Sequence, residues 1–135
     1  MINILLITHG NLGQELLSTA SLIIGQQTDV TVLSLSGQDS LSTMIAKTGE
    51  VLATMPGQDG TLIFTDMLGG TPCNASLAFA ADYPIVIVTG VNLYMLISAC
   101  TNRTTLNLQE LAAKVIADGK KNIANAKEIF LKRIK

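Results

Sequence analysis

The sequence predicts an α/β protein built on a mainly parallel sheet with helices on both faces. Three observations carry that prediction. Short apolar, β-branched runs recur along the chain, helical patterns separate them, and the composition suits strands covered on both sides. Hydrophobic residues make up 48% of the chain and charged residues only 14%. At 135 residues the chain reads as one domain, residues 1–135, large enough to bury a core without disulfide or metal staples.

The elements follow in order. The first strand is Ile2 to Thr8, with His9 emerging at its C-terminal end. A helix spans Leu12 to Ile24, where Leu12, Leu16, Leu17, Ala20 and Ile23/Ile24 keep helical spacing and Gly25 is the C-cap. The second strand is Val30 to Leu35. Ser40 to Met55 reads as a helix through Leu41, Ile45, Leu52 and Met55, and Pro56-Gly57 and Asp59-Gly60 then mark a turn. Strands Thr61 to Thr65 and Ile85 to Thr89 flank a helix over Pro72 to Ala81, and a fourth helix covers Leu93 to Thr101. Asn107 and Glu110 have N-cap and capping-box spacing, opening a helix through Leu111, Val115, Ile116, Ile123 and Ala124 that Gly119 weakens. Glu128 to Ile134 fits a helix end or an edge strand, and periodicity does not separate the two.

Several function classes are excluded. A formal net charge of −1 and the lack of a basic patch with interleaved aromatics leave no footprint for nucleic acid. Cys73 and Cys100 match neither a redox pair nor a zinc-ligand spacing, and with a single histidine a zinc site is not expected. The N-terminal run lacks a basic flank and stops at His9-Gly10, so it reads as a strand and not a signal peptide. No apolar run approaches the roughly 20 residues that span a bilayer. A cytoplasmic location is expected.

Two segments carry chemistry. His9 sits at the strand edge where ligands of open α/β sheets collect, next to Gly10, which lets a ligand approach the backbone. A ring nitrogen there is a candidate nucleophile. The third strand leads into Asp66-Met67-Leu68-Gly69-Gly70-Thr71-Pro72. Gly69 and Gly70 free the loop to expose backbone N–H groups, Thr71 is expected as N-cap and Pro72 at the first helical position. Such a loop suits an anion such as phosphate. It is neither a Walker loop nor a dinucleotide fingerprint, and no acidic pair follows the first strand as a phosphoaspartate receiver requires. With strand order 2-1-3-4, Asp66 and His9 share one edge at a topological switch point. The carboxylate would then fix the tautomer of the ring and leave the other nitrogen as nucleophile.

These residues resemble the enzyme IIA component of the mannose-type sugar phosphotransferase system. The matching blocks are Thr8-His9-Gly10, then Asp66 through Ser76, then Gly90-Val91-Asn92-Leu93-Tyr94-Met95-Leu96, in register over residues 1 to about 130. The resemblance implies that His9 accepts a phosphoryl group on Nε2 from the phosphocarrier HPr and passes it to enzyme IIB, and that Asp66 orients it. Gly10, Gly69, Gly70 and Thr71 would bind the phosphoryl group. The family usually has serine at the Thr71 position and an aromatic residue at Cys73. No metal, nucleotide or other cofactor is implied. Membrane enzymes IIC and IID would be reached through the complex, with peripheral association at the membrane. Related proteins add an antiparallel strand exchanged between subunits of a homodimer, and Glu128 to Ile134 would be that strand. A relay feeding dihydroxyacetone kinase and a phosphorylation-state sensor module are the alternatives. The sugar itself is not legible.

Overall fold

Strand burial sets the layout. In the computed structural model, which describes residues 1–55 and 57–134, β1 (Asn3–His9) is buried in all but its last residue and β3 (Thr61–Thr65) is buried throughout. Chain segments rich in Ile, Leu and Phe with no polar face require cover on both sides, so these two strands are central. β2 (Val30–Leu35) and β4 (Ile85–Val88) are mostly half-buried and take the edges. All pairings are parallel, in the order β2-β1-β3-β4, with Ile7 opposite Thr65 and His9 opposite Leu35. The predicted order 2-1-3-4 is the one found.

The helices sort onto two faces for a reason of handedness. A right-handed crossover places its helix on one face when the chain moves one way across the sheet, and on the other when it moves back. The chain steps outward from β1 to β2 through α1 (Leu12–Ile24), then returns across β1 to β3 through α2 (Leu41–Thr54), and continues to β4 through α3 (Thr71–Leu77). One core therefore joins Ile4, Leu6, Leu62 and Phe64 to Ala20 of α1, Leu96 of α4 (Leu93–Asn102) and Leu111 and Val115 of α5 (Leu108–Lys121). The opposite core joins Leu5, Ile7 and Ile63 to Met44 and Leu52 of α2 and Ala75 of α3. Each fully buried Leu, Ile or Phe contributes about 1.5–3 kcal/mol through lost contact with water. The direction reverses between β1 and β3, which leaves a crevice at their carboxyl ends.

Most expected elements lie within a residue or two of their predicted bounds, and three need correction. The third helix was expected over Pro72 to Ala81, but α3 ends at Leu77. Phe79 and Ala80 donate to Ser76 and Leu77 in tightened turns, and Tyr83 precedes Pro84, a position that disfavours helical backbone. Thr71 is not the N-cap of α3: Gly70 has the extended cap conformation, and no side chain caps this helix. Glu128 to Ile134 does not form the expected antiparallel strand. Ala126–Arg133 is helix α6, with the Asn125 side chain accepting from the Glu128 N–H and with Lys132 and Arg133 in the last turn. Local capping and the favourable placement of basic residues near a helix C-terminus suffice for this helix in a single chain. None of its residues is buried. The Pro56 end of the predicted turn lies outside the described residues. No helix among the described residues is long and apolar enough to cross a membrane.

Candidate active site

The site is built where β1 and β3 end. Thr8, the last inward-facing residue of β1, is fully buried and its Oγ1 accepts the Gly13 N–H at 2.8 Å. That bond caps the start of α1, whose N-cap residue Asn11 contributes no side-chain bond. Gly10, at φ 55°, lets the chain turn from β1 into α1 while its N–H donates to the Leu35 carbonyl at 2.8 Å. His9 is therefore fixed on both sides by backbone contacts, and its side chain points out of the sheet edge with 43% of its surface exposed.

Asp66 follows β3 at the same edge. Its Oδ2 accepts the backbone N–H of His9 at 2.9 Å and lies 2.8 Å from His9 Nδ1. An ionised carboxylate only accepts, so Nδ1 carries a ring hydrogen, and in the neutral ring Nε2 keeps its lone pair. The Asp66 side chain is only 9% exposed. Burial pushes its carboxyl pKa up, but hydrogen bonds from the backbone and ring of His9 and from its own backbone N–H outweigh that, so the pKa lies below the usual value. Asp66 Oδ1 and the neighbouring Thr65 Oγ1 are buried without a hydrogen-bond partner among the described residues.

The glycine loop lies over the ring. Gly69 adopts φ 80°, where L side chains are strained. Asn74 of α3 pins the loop: its N–H donates to the Gly70 carbonyl at 2.9 Å and its Nδ2 to the Gly69 carbonyl at 3.3 Å. Gly70 comes close enough to the imidazole that a Cβ built on it would stand 3.3 Å from His9 Cε1. Met67 and Leu68 on this loop, Leu12 on α1 and Tyr94 on α4 are all exposed apolar side chains. At the same end of the sheet, Asn92 caps α4 by accepting the Met95 N–H, and the Val91 N–H donates to the Thr65 carbonyl. A groove of about 550 Å³, lined by Met1, Asp59, Pro84, Arg103 and Leu108 among others, includes none of the predicted site residues.

His9, Asp66, Gly69 and Gly70 are thus together at one edge, with Gly10 and Thr71 flanking them in sequence. Sequence reasoning missed the parts played by Thr8 and Asn74. Thr8 had a usable signal, a hydroxyl residue ending a buried strand one turn before a helix. Asn74 had none, because its role depends on how the loop folds back.

A parallel sheet of this order, with a histidine held by an aspartate under a glycine loop at its switch point, defines a three-layer α/β protein with a histidine–aspartate pair at its sheet edge. A profile of the family described as "EIIA-man: PTS system fructose IIA component" matches residues 3–116. The chain belongs to this family. It is 29% identical over 118 residues, 86% of its length, to the PTS system mannose-specific EIIAB component of Escherichia coli K12, and it spans 36% of that protein. It is 28% identical over 112 residues, 82% of its length, to the PTS system fructose-specific EIIA component of Bacillus subtilis, spanning 77% of that chain. Among solved structures, the phosphotransferase system component EIIA of Streptococcus agalactiae superimposes with a TM-score of 0.87 at 30% identity, over 95% of this chain and 99% of the other.

Proposed function

We propose that this protein relays a phosphoryl group through His9, from phospho-HPr to enzyme IIB, in coupled sugar uptake and phosphorylation. The observation that carries the reading is the 2.8 Å contact of His9 Nδ1 with a buried carboxylate, which directs the lone pair of Nε2 away from the protein. Nε2 attacks phosphorus in line, a new N–P bond forms, and the bond to the donor histidine breaks with its electron pair leaving on the donor nitrogen. A loose phosphoryl transition state asks mainly for positioning and charge stabilisation. Asp66 stabilises the positive charge that develops on the ring. Backbone N–H groups along Gly69, Gly70 and Thr71 and the start of α1 beyond Gly10 face the equatorial oxygens. Transfer to enzyme IIB is the same step with His9 as leaving group, and needs no metal or nucleotide.

The surface suits serial partners. Leu12, Met67, Leu68 and Tyr94 form an apolar rim. Lys47 is the sole Lys or Arg before Arg103, and Asp39 engages it at 2.8 Å. The first 102 residues therefore offer a partner no unpaired Lys or Arg side chain. Enzymes IIC and IID are reached through enzyme IIB, at the inner face of the membrane, and the protein works in the cytoplasm. The exposed Ile129, Phe130, Leu131 and Ile134 support a homodimer, which light scattering across a concentration series tests.

The central experiment is intact-mass spectrometry after mixing with phosphoenolpyruvate, enzyme I and HPr. One acid-labile phosphoryl group on the wild type and none on His9→Ala is the expected result. An unmodified wild type would sink the reading. Transfer onward to a dihydroxyacetone kinase subunit, or to no acceptor at all, would replace the enzyme IIB step.

A further inference from the structure

Gly69 and Gly70 are glycines for different reasons. At Gly69 the backbone demands it: φ is 80°, and an added Cβ would meet nothing within 4 Å. At Gly70 the backbone demands nothing, because φ −77° and ψ 171° are open to any residue. The surroundings are what exclude a side chain. A Cβ there would stand 3.3 Å from His9 Cε1, 3.7 Å from Met67 Cβ and 3.8 Å from Pro72 Cδ. The first contact is inside ordinary van der Waals distance, so the ring or the loop would have to give by a few tenths of an ångström.

Neither partner gives easily. The ring is held at Nδ1 by Asp66 at 2.8 Å. The loop is held at Gly70 by the Asn74 N–H at 2.9 Å. Cε1 is the ring carbon between Nδ1 and Nε2, so the contact falls beside the nitrogen that reacts.

We infer that Gly70 is a positioning residue whose missing side chain keeps the His9 ring aligned on Asp66 and keeps space beside Nε2 for phosphoryl oxygens. The second half of this rests on the reading of His9 as phosphoryl acceptor; the first half does not. A methyl group at this position tilts the imidazole away from Asp66 and fills volume next to the reacting nitrogen. Small displacements of a reacting group cost rate steeply.

The test compares the wild type, Gly70→Ala and Gly37→Ala as full chains. Gly37 lies in the turn after β2, and a Cβ there meets nothing within 4 Å. Thermal melting reads the fold, imidazole ¹⁵N spectra read the Nδ1–H bond to Asp66, and the time course with phosphoenolpyruvate, enzyme I and HPr reads transfer. Gly70→Ala is expected to melt near the wild type, to show a displaced Nδ1–H signal, and to accept phosphate roughly ten-fold or more slowly. The loss should fall on kcat more than on KM for HPr. Gly37→Ala should match the wild type throughout. A Gly70→Ala protein with the wild-type ring spectrum and rate overturns the inference. If the wild type itself takes no phosphoryl group, the acceptor reading fails and the ring spectrum decides alone. A displaced signal then upholds Gly70 as what aligns the ring, and an unchanged one overturns it.

Discussion

Asp66 Oδ2 accepts two N–H groups of His9, one from the backbone and one from the ring. Replacing the carboxylate by an amide keeps the shape, and an amide oxygen in the place of Oδ2 still accepts both N–H groups, but the negative charge that stabilises a positive ring is lost. Asp66→Asn should therefore keep the acceptor residue yet slow its phosphorylation by about 100-fold or more, read from stopped time courses by mass spectrometry. A wild-type rate in that variant would remove Asp66 from the relay. Thr65 poses the opposite case. Its buried hydroxyl has no partner among the described residues, so Thr65→Val should leave stability unchanged or raise it by roughly 1 kcal/mol in urea titrations. Asp39 gives a pH prediction. Hydrogen bonds from Lys47 and Ser36 hold its carboxyl at about 2, below its ordinary 3.8. A depressed folded-state pKa contributes stability that is fully present above the unfolded value and is lost as pH falls through the folded one. Melting curves of wild type and Asp39→Asn should thus converge as pH drops from about 4 to 2, and a constant gap would discount the pair.

At the scale of elements, α1 is aimed at the site by a close approach. A Cβ on Gly13 would meet Thr8 Oγ1 and Val32 Cγ1 at 3.2 Å, so α1 rests almost on β1 and β2. That approach brings the Gly13 N–H within reach of Thr8, directly beneath His9. Thr8→Val removes the cap and leaves a buried N–H without an acceptor. It should cost about 1–2 kcal/mol of stability in denaturant titrations, and a neutral result would mean the start of α1 is satisfied otherwise. The capping of α5 was legible in advance, since Asn107 and Glu110 exchange side-chain bonds with each other's backbone at 2.9 and 3.0 Å. The short α3 was not, because its end is set by turns whose packing involves residues distant in sequence. Phe79 lies against Gly49 of α2 and edge-on to Tyr83 at 5.9 Å between ring centres.

For the molecule as a whole, Arg103 ties the edge opposite His9. Its guanidinium is 4% exposed with the rest of the side chain, and it donates to the carbonyls of Thr28, Asp29 and Ile2. One side chain at the end of α4 thereby joins the start of β1 to the turn before β2. The same turn holds Asp29 at φ 55°, an unusual conformation for a residue with a side chain. Arg103→Met strips charge-assisted bonds from buried carbonyls and should destabilise the fold by about 1.5–3 kcal/mol, read from urea midpoints. The C-terminal segment contrasts with it. Nothing in α6 is buried, so a chain ending at Asn122 should melt within a few degrees of the full chain at micromolar concentration. A large drop would show that this segment is packed in solution, as a dimer would require.

The sequence by itself determined the strands, their two-sided burial, most helix positions, and the pairing of His9 with an aspartate beside a glycine loop. These are local matters of apolar period, β-branching, capping residues and glycine placement, and they survive in one dimension. Parallel connections of one hand then restrict the order of four strands enough to bring Asp66 to His9. Tertiary structure alone decided the rest. It chose Oδ2 of Asp66 as the shared acceptor, set Gly70 against Cε1 and assigned Asn74 to the loop. Each of these depends on how the chain folds back on itself in space, and no spacing of residues encodes that.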